Sequence, residues 1–421
     1  MRLAHGLRAA VGCRRAVIPC RDAITEPPAS AAPPHPVADQ SATGFRRDRL
    51  TWVAYLMLAW FAYLQAAPGL VIVHLRDELG LSYSAGGLHV AAFAAGSLVA
   101  GLVCAGVERA VGRRTLFWAS AAVMAAGTVG LVVARVAPLT IGSVLVMGLG
   151  GGALLVTIQA ALADHHAEGR AVALTEANVA AAVAYVVLIG TLSLTAALHL
   201  GWRIALLASL VVPLLMWWGN RGLAIAAPPP SSVENERLPG VFWIAAAMLF
   251  CMVAVEWCIT AWGATFVADA AGVPTDTAVA LMAGYFGGVV VGRALGSGLT
   301  RRYAPERLLA LALALTAAGF AVLWPSTGPV QALAGLLLLG LGLGNLFPLG
   351  LAVAVALAPG RAAAASARAV LMTSFAVLIA PLTVGTLADA TSLTAALAAV
   401  PVALVLAATG LVLVRRVPRA R

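Results

Sequence analysis

Apolar runs separated by short polar breaks fill the chain from Leu50 onward. Each run has the length, about 20 residues, that a helix needs to cross the core of a bilayer. A membrane β-barrel would need strands of roughly ten alternating residues, and these runs are longer and do not alternate. The pattern therefore predicts an all-α polytopic membrane protein with twelve transmembrane helices. The predicted spans are 51–74, 84–107, 115–134, 138–162, 171–197, 202–219, 240–267, 277–299, 307–324, 329–355, 367–388 and 393–414.

The composition agrees with lipid as the solvent. Hydrophobic residues make up 62% of the 421-residue chain and charged residues only 10%, whereas soluble globular proteins are about half apolar and about a quarter charged. All 27 basic residues are arginines, and the net charge is +10. These arginines gather in short loops between apolar runs, which indicates membrane orientation rather than nucleic-acid binding.

The arginines also predict which way the chain crosses the membrane. Most lie in loops on the side of the two chain ends, whereas the other side holds only Arg76, Arg135 and Arg203. By the positive-inside rule, both termini are expected in the cytoplasm. We expect a multi-pass, monomeric protein of the cell inner membrane, surrounded by the lipid bilayer and without a nucleic-acid partner.

Two polar segments predict the domain organisation. Residues 1–45 are rich in arginine and proline and contain no apolar core long enough for a signal peptide. A disordered tail or a start codon assigned too early is expected there, with a transit peptide as the alternative. The polar break "APPPSSVENERLPG" (227–240) divides the remainder into two halves. The predicted organisation is a tail (1–45), a six-helix bundle (46–222), a cytoplasmic linker (223–239), a second six-helix bundle (240–414) and a basic tail (415–421).

The two halves resemble each other at a constant offset. "GLGGGAL" (148–154) falls on "GLGLGNL" (340–346) after a shift of 192 residues, and Gly96 falls on Gly288. Small residues also recur at every fourth position in the second and eighth spans, on a helix face where two backbones can approach closely. These matches predict two pseudo-symmetric six-helix bundles with a central cavity at mid-membrane, a layout typical of secondary transporters.

Several motifs resemble those of the major facilitator superfamily, over about residues 50–415. They are "GVERAVGRRTL" (106–116), "GSGLTRRYAPERLL" (296–309), "GWR" (201–203) and "APLTVGTLAD" (380–389). The Glu and Trp pattern of the seventh span and "ELGLS" (78–82) are similar to the fucose-permease-like branch. The resemblance implies a secondary transporter that works by alternating access.

The loop signature implies a gating role for its charged residues. The family has Asp-Arg, one residue and then Gly-Arg-Arg, whereas this chain has an acid-arginine pair, two residues and then Gly-Arg-Arg. The implied gating residues are Glu108, Arg109, Gly112, Arg113 and Arg114 in the first half, and Arg301 and Arg302 in the second. The drug-antiporter signature with Gly-Pro in the fifth span is absent from "VAYVVLIGTLSLTAA" (183–197).

A single carboxylate, Glu256, lies inside the seventh span. A charge at the centre of a bilayer costs about 2.5–3.5 kcal/mol on insertion scales, so such a residue indicates a function. The predicted span places Glu256 past the middle, in the outer half, with Thr260 on the same helix face. We predict that Glu256 couples protons to transport from a wet cavity; an interhelical hydrogen bond without a transport role is the alternative.

Other polar and aromatic residues within the spans are candidates for binding substrate. Trp257 and Trp262 are expected to point away from the face of Glu256, where membrane anchoring or packing competes with substrate stacking. Asn178 and Tyr185 share a helix face with Thr175, which is predicted to line the path. A further candidate is Asn345, three residues before Pro348, with Gln159 and Tyr285 as weaker ones.

Two charged residues near the cytoplasmic ends of their spans leave alternatives open. Arg293 can extend its side chain to the membrane interface, bind an anionic group or pair with an acid. Glu176 is expected to pair with a loop arginine.

No metal site or cofactor is expected. The five cysteines form no metal-binding spacing, and those within apolar runs are expected to behave as small buried hydrophobic residues. "ADHHAEGR" (163–170) offers an aspartate and two histidines, but adjacent histidines are expected to point apart on a helix. A solvated loop is the predicted structure of this segment.

The sequence thus predicts a secondary active transporter that moves a small organic solute with protons as the coupling ion. A uniporter or a multidrug-type efflux carrier of the same fold is the alternative. A channel or a membrane enzyme is a remote one, because no Gly-x-Ser-x-Gly, His-Glu-x-x-His or Walker motif occurs. The sequence does not identify the substrate.

Overall fold

A computed structural model describes residues 46–166, 169–225, 237–300 and 302–416. Within these residues the chain forms fourteen helices that build twelve candidate membrane spans, as predicted. The helices are α1 (Arg49–Leu79), α2 (Tyr83–Val111), α3 (Arg113–Val133), α4 (Ala137–His166), α5 (Arg170–Ala197), α6 (Trp202–Ser209), α7 (Val211–Asn220), α8 (Gly240–Ala271), α9 (Thr275–Leu299), α10 (Pro305–Leu323), α11 (Pro329–Ala356), α12 (Ala362–Ala390), α13 (Leu393–Ala396) and α14 (Ala399–Arg416).

The sixth and twelfth spans are each broken into two helices. The first break lies at Leu210, between α6 and α7, and Pro213 follows it by three residues. The second lies between α13 and α14, just before Pro401. A proline has no N–H to donate and its ring clashes with the carbonyl four residues earlier, so each proline disrupts the turn before it. Both breaks were missed because the apolar pattern runs through them.

Local capping fixes both ends of α1. Asp48 precedes α1 and accepts a hydrogen bond from the backbone N–H of Thr51 (2.9 Å), which satisfies a donor that the first turn leaves free. Gly80 ends α1 with φ of 60°, a conformation that favours glycine. Several helices therefore extend past the apolar runs that predicted them.

Glycine contacts repeat between the halves with the offset seen in the sequence. Gly96 of α2 lies against the backbone carbonyl of Leu145 in α4, and a methyl group in its place would clash with that oxygen. Gly288 of α9 lies in the same way against the carbonyl of Leu337 in α11. Both members of the second pair are 192 residues after those of the first. The crossing of α2 with α4 is therefore repeated by the crossing of α9 with α11, as two pseudo-symmetric bundles require.

The halves pack mainly through α2 with α12, α5 with α9 and α1 with α8. We call the end of the bundle where Gly112 joins α2 to α3 the arginine-rich side, and the other end the opposite side. Hydrogen bonds between the halves gather on the opposite side. The Asp389 carboxylate accepts from the backbone N–H groups of Tyr83 (2.7 Å) and Ser84 (2.8 Å).

Further polar contacts join the halves at the same level. His74 and Asp276 approach to 2.8 Å, and the hydroxyl of Thr275 donates to Asp77 (3.0 Å). These contacts therefore hold the bundle closed on the opposite side.

Candidate functional site

A cavity of about 520 Å³ lies between the halves toward the arginine-rich side. Its walls come from the first turns of α5 and from the later turns of α9 and α11. Its polar lining residues are Thr175, Asn178, Ser297, Thr300 and Asn345, and Arg293 is the charged one. A cavity of this size falls within the range of small-molecule sites, about 300–1,000 Å³.

Backbone contacts hold the two main polar groups of the large cavity. Asn345 donates from Nδ2 to the carbonyl of Gly292 (2.6 Å). Its side chain lies directly on Gly296, where any side chain would collide with the Asn345 amide. Arg293 donates from Nε to the carbonyl of Gly344 (3.2 Å). Glycines on α9 and α11 therefore bring the helices close enough to fix both side chains at the cavity wall.

A second, much smaller cavity surrounds Glu256 and has a volume of about 20 Å³. That volume is enough for about one water molecule. The other groups at its wall include Tyr185 of α5, Trp257 and Thr260 of α8, and Tyr285 of α9. Glu256 thus faces the interior between the halves rather than lipid.

The carboxylate of Glu256 has no hydrogen-bond partner among the residues that the structure describes. Its backbone carbonyl accepts from the hydroxyls of Thr260 (2.8 Å) and Tyr285 (3.3 Å), and these two hydroxyls lie 3.2 Å apart. A buried charge with no partner is expensive, whereas a neutral carboxyl is tolerated. The site is therefore suited to a carboxyl that gains and loses a proton.

The two cavities are neighbours along the same helices. On α9, Val289 lines the small cavity and Arg293, one turn later, lines the large one. Four residues of helix correspond to about 6 Å of rise. No direct ion pair joins Glu256 and Arg293 in the described part of the chain, but charges at neighbouring sites in a protein interact more strongly than they do in water. A change of charge at one cavity is therefore felt in the other.

Comparisons with known proteins agree with this architecture. The family model of the major facilitator superfamily matches residues 51–337, more than half of the chain.

The chain belongs to the major facilitator superfamily.

Solved structures of transporters share the superfamily fold with the chain. A bacterial homologue of the human lysosomal transporter Spinster, in an inward-facing and occupied conformation, aligns with a TM-score of 0.74 at 14% identity, over 89% of this chain and 98% of its own. A D-xylose–proton symporter aligns with a TM-score of 0.71 at 15% identity, over 87% and 96%. The nucleoside transporter NupG aligns with a TM-score of 0.69 at 12% identity, over 88% and 100%. No protein of curated function matches the sequence.

Membership of the superfamily makes the chain a multi-pass membrane transporter and not an enzyme.

The loop between the second and third spans is held by an ion network. Arg113 pairs with Glu108, and its Nη1 donates to Asp164 (2.7 Å). Gly112 joins the two helices with φ of 81°. This network lies within the first half and is largely buried, which gives the loop a structural role beside the gating role that the resemblance implies.

The remaining loop residues are more exposed. Arg114 donates to the carbonyl of Arg221, and Arg109 is exposed and donates to the carbonyl of Ala105 (3.2 Å). Arg302 is exposed in the turn before α10. Arg301 lies outside the described residues.

Three expectations about α8 need correction. The helix runs to Ala271, beyond the predicted end, so Glu256 lies at its midpoint and not in its outer half. Trp257 shares the small cavity with Glu256 instead of pointing elsewhere. Trp262 is completely buried, and its Nε1 donates to the carbonyl of Pro381 (2.9 Å), so it packs in the interior and is no interfacial anchor.

The candidates on α5 fall into two places. Asn178 lines the large cavity with Thr175, and its Nδ2 donates to the carbonyl of Leu174 (2.7 Å). Tyr185 lines the small cavity, where its hydroxyl donates to Gln65 (3.4 Å). Glu176 pairs with Arg47, just before α1, at 2.5 Å.

The positions of the α4 residues differ from those expected from the sequence. Gln159 is exposed and lines neither cavity. His165 and His166 lie in the last turn of α4, not in a loop, and their rings are 4.8 Å apart. They do not point apart, because His165 hydrogen-bonds to Asp48 (2.6 Å) and His166 to Thr51 (2.7 Å).

Some residues of the site have no signal in the sequence. Ser297 and Thr300 lie at the mouth of the large cavity, near the end of α9. The hydrogen bonds from Tyr83 and Ser84 to Asp389 likewise have no signal in the sequence. The position of each of these residues depends on which helix ends lie next to each other in the fold. The local sequence does not contain that information.

Proposed function

We propose that this protein is a secondary active transporter that moves a small organic solute by alternating access and uses protons as the coupling ion through Glu256. The observation that carries the proposal is the Glu256 carboxylate, which has no hydrogen-bond partner among the described residues and lies at mid-helix beside an open cavity of about 520 Å³. Asn178, Asn345 and Arg293 bind the solute. Tyr185, Trp257 and Thr260 shape the wall around Glu256.

The proposed orientation places both termini and the arginine-rich side in the cytoplasm of a bacterial cell, by the positive-inside rule. The conformation described above is then open to the cytoplasm and closed to the outside. Two rigid bundles, 46–222 and 240–414, rock about the central cavity while the linker 223–239 connects them. The similarity to a D-xylose–proton symporter supports a coupled mechanism of this kind.

Proton coupling follows from the difference between two protonation states. With Glu256 ionised, closing the cavity around the charge is costly, whereas the neutral form lets the halves close. Protonation and solute binding therefore shift the same two-state equilibrium. Each cycle carries one proton with the solute.

The test uses purified protein in liposomes loaded with a pH-sensitive dye. Sugars, nucleosides, carboxylates and dipeptides are added in turn, and we expect one class to drive saturable entry of both solute and protons. In Glu256→Gln, solute counterflow should persist while solute-driven proton entry disappears. Wild-type counterflow without proton entry would reject the coupling and leave a uniporter. Proton entry that survives in the variant would reject the role of Glu256.

A further inference from the structure

The guanidinium of Arg293 is incompletely satisfied. Only its Nε has a hydrogen-bond partner, the carbonyl of Gly344, and the terminal nitrogens have none among the described residues. Arg293 is also the charged side chain in the described lining of the large cavity. A guanidinium offers two parallel donors in a geometry that matches a carboxylate. The cavity therefore presents an unused anion-binding group.

The apolar walls and the volume limit what can bind there. The apolar part of the lining includes Val179, Ala182, Val290, Ala294 and Leu349. A volume of about 520 Å³ exceeds that of an inorganic ion and suits a small organic molecule. The lining thus favours an organic body that carries an anionic group.

The balance of charge between the cavities decides how many negative charges fit. When Glu256 is ionised, its charge offsets that of Arg293. When Glu256 is protonated, Arg293 remains as a positive charge at the wall of the large cavity, without the offsetting charge of Glu256. One negative charge on the solute restores neutrality, whereas a doubly charged phosphate monoester would overshoot it.

We propose that the solute is a small organic monocarboxylate, which binds through Arg293 together with one proton on Glu256. The inference rests on the transporter function proposed above and names its substrate class. The proton comes from water and stays on the Glu256 carboxyl while the carboxylate occupies the large cavity. Proton and anion then enter as an electrically neutral pair.

The groups around Glu256 support its assignment as the proton site. Tyr185 of α5 and Tyr285 of α9 line the small cavity with Glu256, and Arg293 lies one turn of α9 beyond Val289, which also lines it. At its cavity α1 contributes Ala66, which is apolar. Arginine side chains do not lose their proton in proteins, and tyrosine hydroxyls are ordinarily neutral near pH 7. Glu256 is therefore the group whose charge changes.

The test measures thermal unfolding of the purified full-length protein with three matched pairs: benzoate and benzamide, lactate and lactamide, nicotinate and nicotinamide. At ten times its Kd, a ligand should raise the Tm by about 2 °C. We expect at least one carboxylate to stabilise the protein at pH 5.5 while its amide does not. Because a proton binds with the anion, the apparent affinity should fall as the pH rises to 8.

Variants separate the two parts of the proposal. Arg293→Gln should weaken carboxylate binding at least about tenfold, since a charge-assisted bidentate contact is lost. Arg416→Gln, which removes an exposed arginine on the same side of the bundle, is the matched control and should bind as the wild type does. Glu256→Gln imitates the protonated carboxyl, so its affinity should stay high at pH 8. If Arg293→Gln does not fold, the matched pairs on the wild type and Glu256→Gln still decide the question.

Several results would overturn the inference. They are equal stabilisation by an amide and its carboxylate, no response to any of the three carboxylates, or wild-type affinity that does not fall with rising pH. Selective stabilisation by a neutral solute such as D-xylose or uridine would do the same. In that last case, proton entry driven by the neutral solute and lost in Glu256→Gln would leave the proposed transporter function intact.

Discussion

Gly87 of α2 provides a direct test of the closed opposite side. It faces α12, and a methyl group on it would lie 2.9 Å from the carbonyl oxygen of Pro381 and 3.0 Å from the Cα of Leu382. Ordinary contacts of a Cβ begin near 3.4 Å. These backbone atoms belong to the other half, so the clash exists only while the two halves are closed together. Gly87→Ala should therefore destabilise the closed state alone.

The size of the effect follows from the overlap. Inserting a methyl group into a packed interface costs about 1–3 kcal/mol. Since about 1.4 kcal/mol corresponds to a tenfold change in an equilibrium constant, the equilibrium should move about 5- to 150-fold toward opening on this side. Replacing glycine by alanine inside a helix also favours the helix by roughly 0.5–1 kcal/mol, but this gain applies to both states and cancels.

The assay measures the distance between two spin labels by double electron–electron resonance spectroscopy. The labels are placed in a parent variant from which the five native cysteines have been removed. Labels at Leu139 of α4 and Val330 of α11 occupy exposed positions on the opposite side, one in each half. The parent protein should give a short distance, and Gly87→Ala should add a longer one.

A control on the same helix isolates the effect of the contact. Gly101 has no atom within 4 Å of where its Cβ would lie, so Gly101→Ala should leave the distances unchanged. Gly385→Ala, which would meet the Tyr83 carbonyl at 2.6 Å, should act like Gly87→Ala. Identical distance distributions for Gly87→Ala and Gly101→Ala would refute the reasoning that close backbone contact holds this side shut.

Two further predictions concern the arginine-rich side. Arg113→Gln should lower the free energy of unfolding by about 3–5 kcal/mol, because the largely buried Glu108 loses its partner; thermal unfolding measures the loss, and the exposed control Arg109→Gln should stay within about 0.5 kcal/mol. Partial burial raises the pKa of Asp48, but hydrogen bonds from Thr51 and His165 outweigh it and hold that pKa below the ordinary value of an aspartate. A carboxylate whose pKa is lowered by folding stabilises the fold at a pH above its unfolded-state pKa. This stabilisation is lost as the pH falls through the folded-state pKa. Asp48→Ala should therefore cost about 1 kcal/mol at pH 7, and its Tm should approach that of the wild type below about pH 4; a difference of constant size would contradict the assignment.

The sequence by itself determined that the apolar runs lie in lipid. It also determined the number of spans and their duplication. A chain that is 62% hydrophobic must place its apolar runs in lipid, and in lipid each backbone polar group needs a partner within its own helix. The shared offset of Gly96 and Gly288 was visible because close helix crossings admit only small residues, whatever surrounds them. The isolated carboxylate at Glu256 was found because few positions tolerate such a cost.

Only the tertiary structure decided which of these residues meet. Trp262 and Trp257 are five residues apart on one helix, yet the first is sealed against α12 while the second lies at the cavity of Glu256. The large cavity joins α5 with α9 and α11, whose residues are far apart in the sequence. Helix periodicity fixes the face on which a side chain lies, but the neighbour of that face depends on how twelve helices pack. That packing depends on contacts summed over the whole bundle, which no local pattern contains.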